Sequence, residues 1–315
     1  MIVAMQRVST QETEQVNVPM QLIYHNQNLL HTFPKLNDAL EVLFVLDGIK
    51  PVARQMVHED NFHKIAHFCE LHNMKYDVSA FKILKDKKLM VKPWVEEPGY
   101  YFMYLSLSGQ DAKRAKFYEA IRNDQKLGEL LGYPSCCIRF YQEQYHKAVT
   151  MGDEYSLFSI ANTSVEKDEN GNIKHPSFLT NNMLRHFGIS LISHFPCSYD
   201  CVSSLFLAKR CFESVQRNNK ALAQHIKQSL KGPIISHAGT GIHALKNATT
   251  KQNIADGFDV RYQTVWLTKP NQVHDILSLG NKVEIVNKNH IKIFKEHHLM
   301  DELQGADVGA MVFGD

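Results

Sequence analysis

Asp111-Ala-Lys-Arg-Ala-Lys-Phe-Tyr-Glu-Ala-Ile-Arg-Asn-Asp-Gln-Lys-Leu-Gly-Glu-Leu-Leu131-Gly132-Tyr-Pro-Ser-Cys136-Cys137 decides how the chain is organised. Strong helix formers dominate residues 111–131, and Gly132 stands where helices commonly stop. Pro134 suits the first turn of a second helix, which carries Cys136 and Cys137. Further on, the polar tract 166–172 has the composition of a surface loop or hairpin tip. Residues 178–187 and 196 to about 230 then read as helical, the latter breaking near Asn218-Asn219. Residues 111–231 are therefore predicted to form a helical unit that carries the cysteine motifs.

Working outward, residues 20–110 read as an N-terminal α+β domain. Residues 41–57 look like two β runs joined by an Asp47-Gly48 turn, and a helix is expected from about 60 to 72, with Phe62, Ile65, Ala66 and Cys69 at helical spacing. Strands are expected at 81–84, 89–94 and 100–107. In the C-terminal α+β segment, 232–315, strands are expected at 260–267, 282–286 and 291–294, the last two joined by an Asn287-Lys288-Asn289 hairpin. Residues 1–19 are polar and aperiodic and read as a disordered leader, with Met20 as a second candidate start. The predicted class is α+β: a helical central unit flanked by small, mostly antiparallel N-terminal and C-terminal sheets.

The composition excludes several classes. A 315-residue chain with 44% hydrophobic residues is neither a collagen, a disordered tail nor a short disulfide scaffold. Its 35 Lys plus Arg balance 33 Asp plus Glu, so no global field draws it to nucleic acid or an anionic membrane. No stretch has the apolar length of a membrane span, and the chain reads as cytoplasmic. In that reducing setting its six cysteines are expected as metal ligands, redox thiols or buried thiols rather than disulfides.

Four of the six form two tight pairs. Cys136 and Cys137 follow Pro134, and Cys197 and Cys201 follow Pro196. Both pairs are expected in the first turn of a helix, where unpaired N–H groups and the positive dipole end favour thiolates. Cys197 and Cys201, at i and i+4, would share a helix face and could grip one metal or two corners of a cluster. Cys136 and Cys137 are adjacent, so their side chains are expected to diverge towards separate irons. The four are accordingly assigned to a [4Fe-4S] cluster, with buried or vicinal thiols that hold no ligand, and zinc or another single metal, as the alternatives. Cys69 and Cys211 fall outside the set.

Leu131-Gly-Tyr-Pro-Ser-Cys-Cys137 and His194-Phe-Pro-Cys-Ser-Tyr-Asp-Cys201 together resemble the paired signatures of an uncharacterised prokaryotic family, a domain of unknown function found in archaea and scattered bacteria. The resemblance covers about residues 112 to 215. It implies that the two segments belong to one site and assigns no reaction.

Around the cysteines, Arg139, Arg185 and His194 are the candidate catalytic groups. Arginine could fork onto a carboxylate or phosphate, and His194 could move a proton near the metal. Asn181 is expected one helical turn from Arg185; all these groups could equally act as hydrogen-bonding support. Elsewhere, His63, His67 and Glu70 read as a solvated helix face, because Phe62, Ile65, Ala66 and Cys69 occupy the apolar one. Gly-Thr-Gly-Ile-His-Ala244 matches a dinucleotide pattern with Asp259 at a suitable distance, but residues 233–236 read as a short strand at best and no second strand is read leading to Asp259, so a turn-forming loop is expected. The chain has no radical-initiating cysteine triplet, Walker loop, Gly-x-Ser-x-Gly elbow or Cys-x-x-Cys pair. The favoured function is a [4Fe-4S] enzyme acting on a small anionic substrate. The alternatives are a zinc-stabilised or metal-free binding protein, touching nucleic acid through Lys113, Arg114 and Lys116, and a thiol-redox protein using Cys136 and Cys137.

Overall fold

A computed structural model describes residues 21–25, 27–85, 87, 89–152, 155–253, 257–268 and 271–315. The leader expected at 1–19 and the candidate start at Met20 lie outside the described residues. The chain divides into two compact units. One takes in the described residues up to Arg139 together with Arg210–Ala223, the other Phe140–Lys209 and Gln224–Asp315.

In the first unit, the short antiparallel pair Ile23–Tyr24 and Gln27–Asn28 and the short helix Leu29–Thr32 lead to helix Leu36–Leu46, in which Leu36, Ala39, Leu40 and every residue from Val42 to Leu46 are buried. Two β runs were expected across 41–57, and only the second forms, as strand Val52–His58. A short continuous apolar run suits a buried helix as well as a buried strand, and here the surroundings cover the helix on nearly all sides. The helix stops where Gly48 takes a φ of +66°, a left-handed conformation that glycine adopts without penalty. Strands Val52–His58, Lys75–Val78 and Lys82–Leu84 all pair antiparallel with Tyr100–Ser106, and Leu89–Val91 pairs with Lys82–Leu84. Helix Phe62–Leu71 links the first two of these strands.

The single helix expected over 111–131 is two, Gly109–Ala120 and Asp124–Leu130. Arg122 breaks the chain at a φ of +56°, and the Asn123 side chain accepts the Lys126 N–H at 3.0 Å to cap the second helix. The reversal lets Ala112, Ala115, Leu127 and Leu131 enter one core with Val52 and Tyr104 of the sheet.

In the second unit, residues 178–187 form two 3-10 turns, Phe178–Thr180 and Met183–Phe187, rather than an α-helix. Gly188 ends them at a φ of +80°. The long helix expected from 196 begins only at Val202. Helices Val202–Asn218 and Lys220–Leu230 are separated at Asn219, the break read from the sequence. Asn219 caps the second by accepting the Leu222 N–H at 3.0 Å.

The C-terminal part forms two wholly antiparallel sheets. One has the order Thr264–Leu267, Gly241–Lys246, Gly232–His237, Val308–Phe313. The other runs Thr249–Gln252, Phe258–Arg261, Lys282–Asn287, His290–Lys295, His298–Gln304. The strand expected at 260–267 is therefore split, one piece to each sheet. The Asn287 hairpin forms as expected, and Val283, Ile285, Ile291 and Ile293 alternate inward to meet Ile235, Leu245, Val308 and Val312 in a shared core. The class is α+β, with helices between sheets at both ends of the sequence. No helix among the described residues is long and apolar enough to cross a membrane.

Candidate metal centre

Gly132, at a φ of +76°, turns the chain out of the preceding helix, and Tyr133 N–H donates to the Gly128 carbonyl at 2.9 Å. The Pro134 carbonyl then accepts the N–H groups of Cys137 and Ile138, both at 3.0 Å. Those bonds open helix Ser135–Met151, so Cys136 and Cys137 stand in its first turn, as the sequence predicts. Their side chains do not diverge: the two Sγ atoms lie 3.8 Å apart.

Cys197 and Cys201 lie on no helix. The Cys201 N–H donates to the Ser198 carbonyl at 3.1 Å, closing a turn, and the Cys201 carbonyl accepts the Leu205 N–H at 2.9 Å. Cys201 is thus the N-cap of Val202–Asn218, and the shared helix face expected for the pair is replaced by a Cys-x3-Cys turn. Proline before the pair signalled the approach to a helix but not where regular hydrogen bonding begins.

The sulfurs of Cys136, Cys137, Cys197 and Cys201 all lie within 4.8 Å of one another. Cys137 and Cys201 are buried, Cys136 and Cys197 half-buried. Two helix beginnings supply backbone N–H groups beside them, a field that favours anionic sulfur. Four convergent cysteine sulfurs form a site able to hold a metal ion. Cys69 and Cys211 lie outside the set, and burial pushes both thiols up to about 12.

His194 is buried, and its Nε2 is 2.8 Å from Ser204 Oγ in a hydrogen bond. The Arg185 guanidinium sits over the Phe195 ring at 4.1 Å. Arg139 is exposed. Asn181 does not join Arg185 on an α-helix; its Nδ2 donates to the Leu230 carbonyl at 2.7 Å, at the end of helix Lys220–Leu230. Its neighbour Asn182, not singled out beforehand, donates to the His194 carbonyl at 2.8 Å. Two adjacent asparagines give no sequence signal for which one serves the motif. His63, His67 and Glu70 are exposed, the solvated face predicted. Residues 236–244 form the turn and arms of a hairpin, with Gly239 and Gly241 at φ values of +76° and +96°. Arg114 is 3.8 Å from Asp111 and Lys116 2.9 Å from Asp77.

Residues 110–227 match a family described as a protein of unknown function (DUF483). The matched span contains all four clustered cysteines, and the resemblance read from the two motifs is to an uncharacterised family of this kind. No curated protein and no solved structure matches the chain.

Proposed function

We propose that this is a cysteine-ligated metalloprotein in which Cys136, Cys137, Cys197 and Cys201 hold one tetrahedral ion, zinc, in a closed structural site. The observation that carries the proposal is the sulfur spacing. Zinc–sulfur bonds of about 2.3 Å in a tetrahedron set the four sulfurs about 3.8 Å apart. The Cys136–Cys137 separation is 3.8 Å, and the whole set fits within 4.8 Å. A [4Fe-4S] cluster places each thiolate on a different iron and spreads the sulfurs further by the iron–iron edge. The same spacing removes the objection that adjacent cysteines cannot share an ion. With four protein ligands no position is left open for a reacting water, the usual mark of a structural rather than a catalytic zinc.

A [4Fe-4S] enzyme acting on a small anionic substrate is the competing reading. Its support is the exposed Arg139 two residues after Cys137, with Arg185 and His194 as its further catalytic candidates. Metal analysis of protein purified without oxygen separates the two. The proposal expects a colourless protein with one zinc per chain and loss of the zinc in Cys136→Ser and Cys201→Ser. Brown protein containing iron and acid-labile sulfide overturns it.

A further inference from the structure

A centre of this kind needs the turn Cys197-Ser198-Tyr199-Asp200-Cys201 to present two thiolates at a fixed spacing. Both backbone polar groups of Tyr199, the middle residue, meet buried threonine hydroxyls. The Tyr199 N–H donates to Thr163 Oγ1 at 2.9 Å, and Thr180 Oγ1 donates to the Tyr199 carbonyl at 2.6 Å. The Thr163 hydroxyl spends its own proton on the Ser159 carbonyl at 2.7 Å, so its oxygen is oriented as an acceptor for Tyr199. Relative exposure is 2% at Thr163, 0% at Thr180 and 1% at Tyr199, so water is a poor substitute for any of these bonds.

Neighbouring contacts pin the rest of the turn. Ser159 Oγ donates to the Pro196 carbonyl at 2.7 Å and Asn162 Nδ2 to the Cys197 carbonyl at 3.0 Å. The Ser164 N–H donates to Asp200 Oδ2 at 2.8 Å. Every residue from Pro196 to Asp200 thus takes part in a hydrogen bond that requires no metal.

Resting on the metal site proposed above, we propose that Thr163 and Thr180 are positioning residues of the centre. They set the Cys197–Cys201 turn in its ligating shape before an ion arrives. Loss of either hydroxyl leaves a buried Tyr199 group seeking another partner, and the turn relaxes together with the sulfur spacing. Outer hydrogen-bonding partners of metal ligands typically alter affinity by about 10–100-fold when removed.

The test uses the full chain with Thr163→Val, Thr163→Ser and Thr180→Val. Zinc affinity is read by competition with a chromophoric chelator, and ligand geometry by the cobalt(II) absorption bands. The expected result is an affinity about 10–100-fold weaker and shifted cobalt bands in both valine variants, with Thr163→Ser close to the parent protein. A hydroxyl with only a general stabilising role would lower the unfolding temperature of the metal-free and zinc-loaded forms equally and leave zinc affinity unchanged, and that result overturns the proposal. Should Thr163→Val fail to fold, Thr180→Val carries the comparison. Amide exchange supplies a second readout: Tyr199 N–H should exchange slowly in the metal-free parent and quickly in Thr163→Val. Fast exchange in the metal-free parent also overturns the proposal. If the parent protein binds neither zinc nor cobalt, the metal site itself is refuted, while the exchange data still decide whether the threonines preset the turn.

Discussion

Acid should weaken this protein through His243, and the size of the effect can be worked out. His243 lies on strand Gly241–Lys246 with no exposed surface, and Asn271 Nδ2 faces its Nε2 at 3.5 Å. Burial, and then the nearby His274, push its pKa from 6.5 down to about 4, with His237 acting in the same direction. The unfolded chain therefore takes up a proton near pH 6.5 that the folded chain refuses until about pH 4. Stability from this group is complete above the unfolded value and is lost as pH falls. For these two pKa values, linkage gives a loss of about 2 kcal/mol between pH 7 and pH 5. Urea unfolding midpoints of the parent and of His243→Gln, measured at pH 7, 6 and 5, isolate the term, because acid release of any metal is common to both proteins. The parent should lose about 2 kcal/mol more than the variant over that interval. Parallel losses would refute the assignment of a neutral, proton-refusing His243.

Cys69→Ala and Cys211→Ala should leave metal content unchanged, and both thiols should resist iodoacetamide at pH 8 in the folded protein, because burial raises each to about 12; alkylation mapped by mass spectrometry checks this. Gly132→Ala should destabilise by about 1–2 kcal/mol in denaturant unfolding, the cost of a Cβ in the left-handed region. Space is not the obstacle there, since the nearest atom, Lys50 Cγ, would be 3.5 Å away.

The legible parts of the chain were those where composition and chain geometry agree. The period-2 pattern of Val283, Ile285, Ile291 and Ile293 names one face of two strands, and an Asn-Lys-Asn turn leaves no other way to join them. The break at Asn219 was equally readable, because asparagine caps the helix that follows. Helix Leu36–Leu46 was not, since an apolar run buried on nearly all sides has no periodic signature. Nor was the break at Arg122: a non-glycine residue at positive φ is held there by the core that both flanking helices share, not by local preference.

The site was legible in membership and obscure in shape. Two proline-preceded cysteine pairs pointed to one cluster of four, and the four sulfurs do converge. Their spacing depends on rotamers and on a turn held from outside by Thr163 and Thr180, residues far from the motifs in sequence. His194, read as a proton carrier from its place beside the motif, has its ring Nε2 in a hydrogen bond with the Ser204 hydroxyl.

X-ray absorption at the metal edge of protein purified without oxygen tests the central claim most directly. One zinc per chain, surrounded by a single shell of four sulfurs at about 2.3 Å, is the predicted result. Iron with a short metal–metal distance, or a first shell of nitrogen and oxygen, would contradict it.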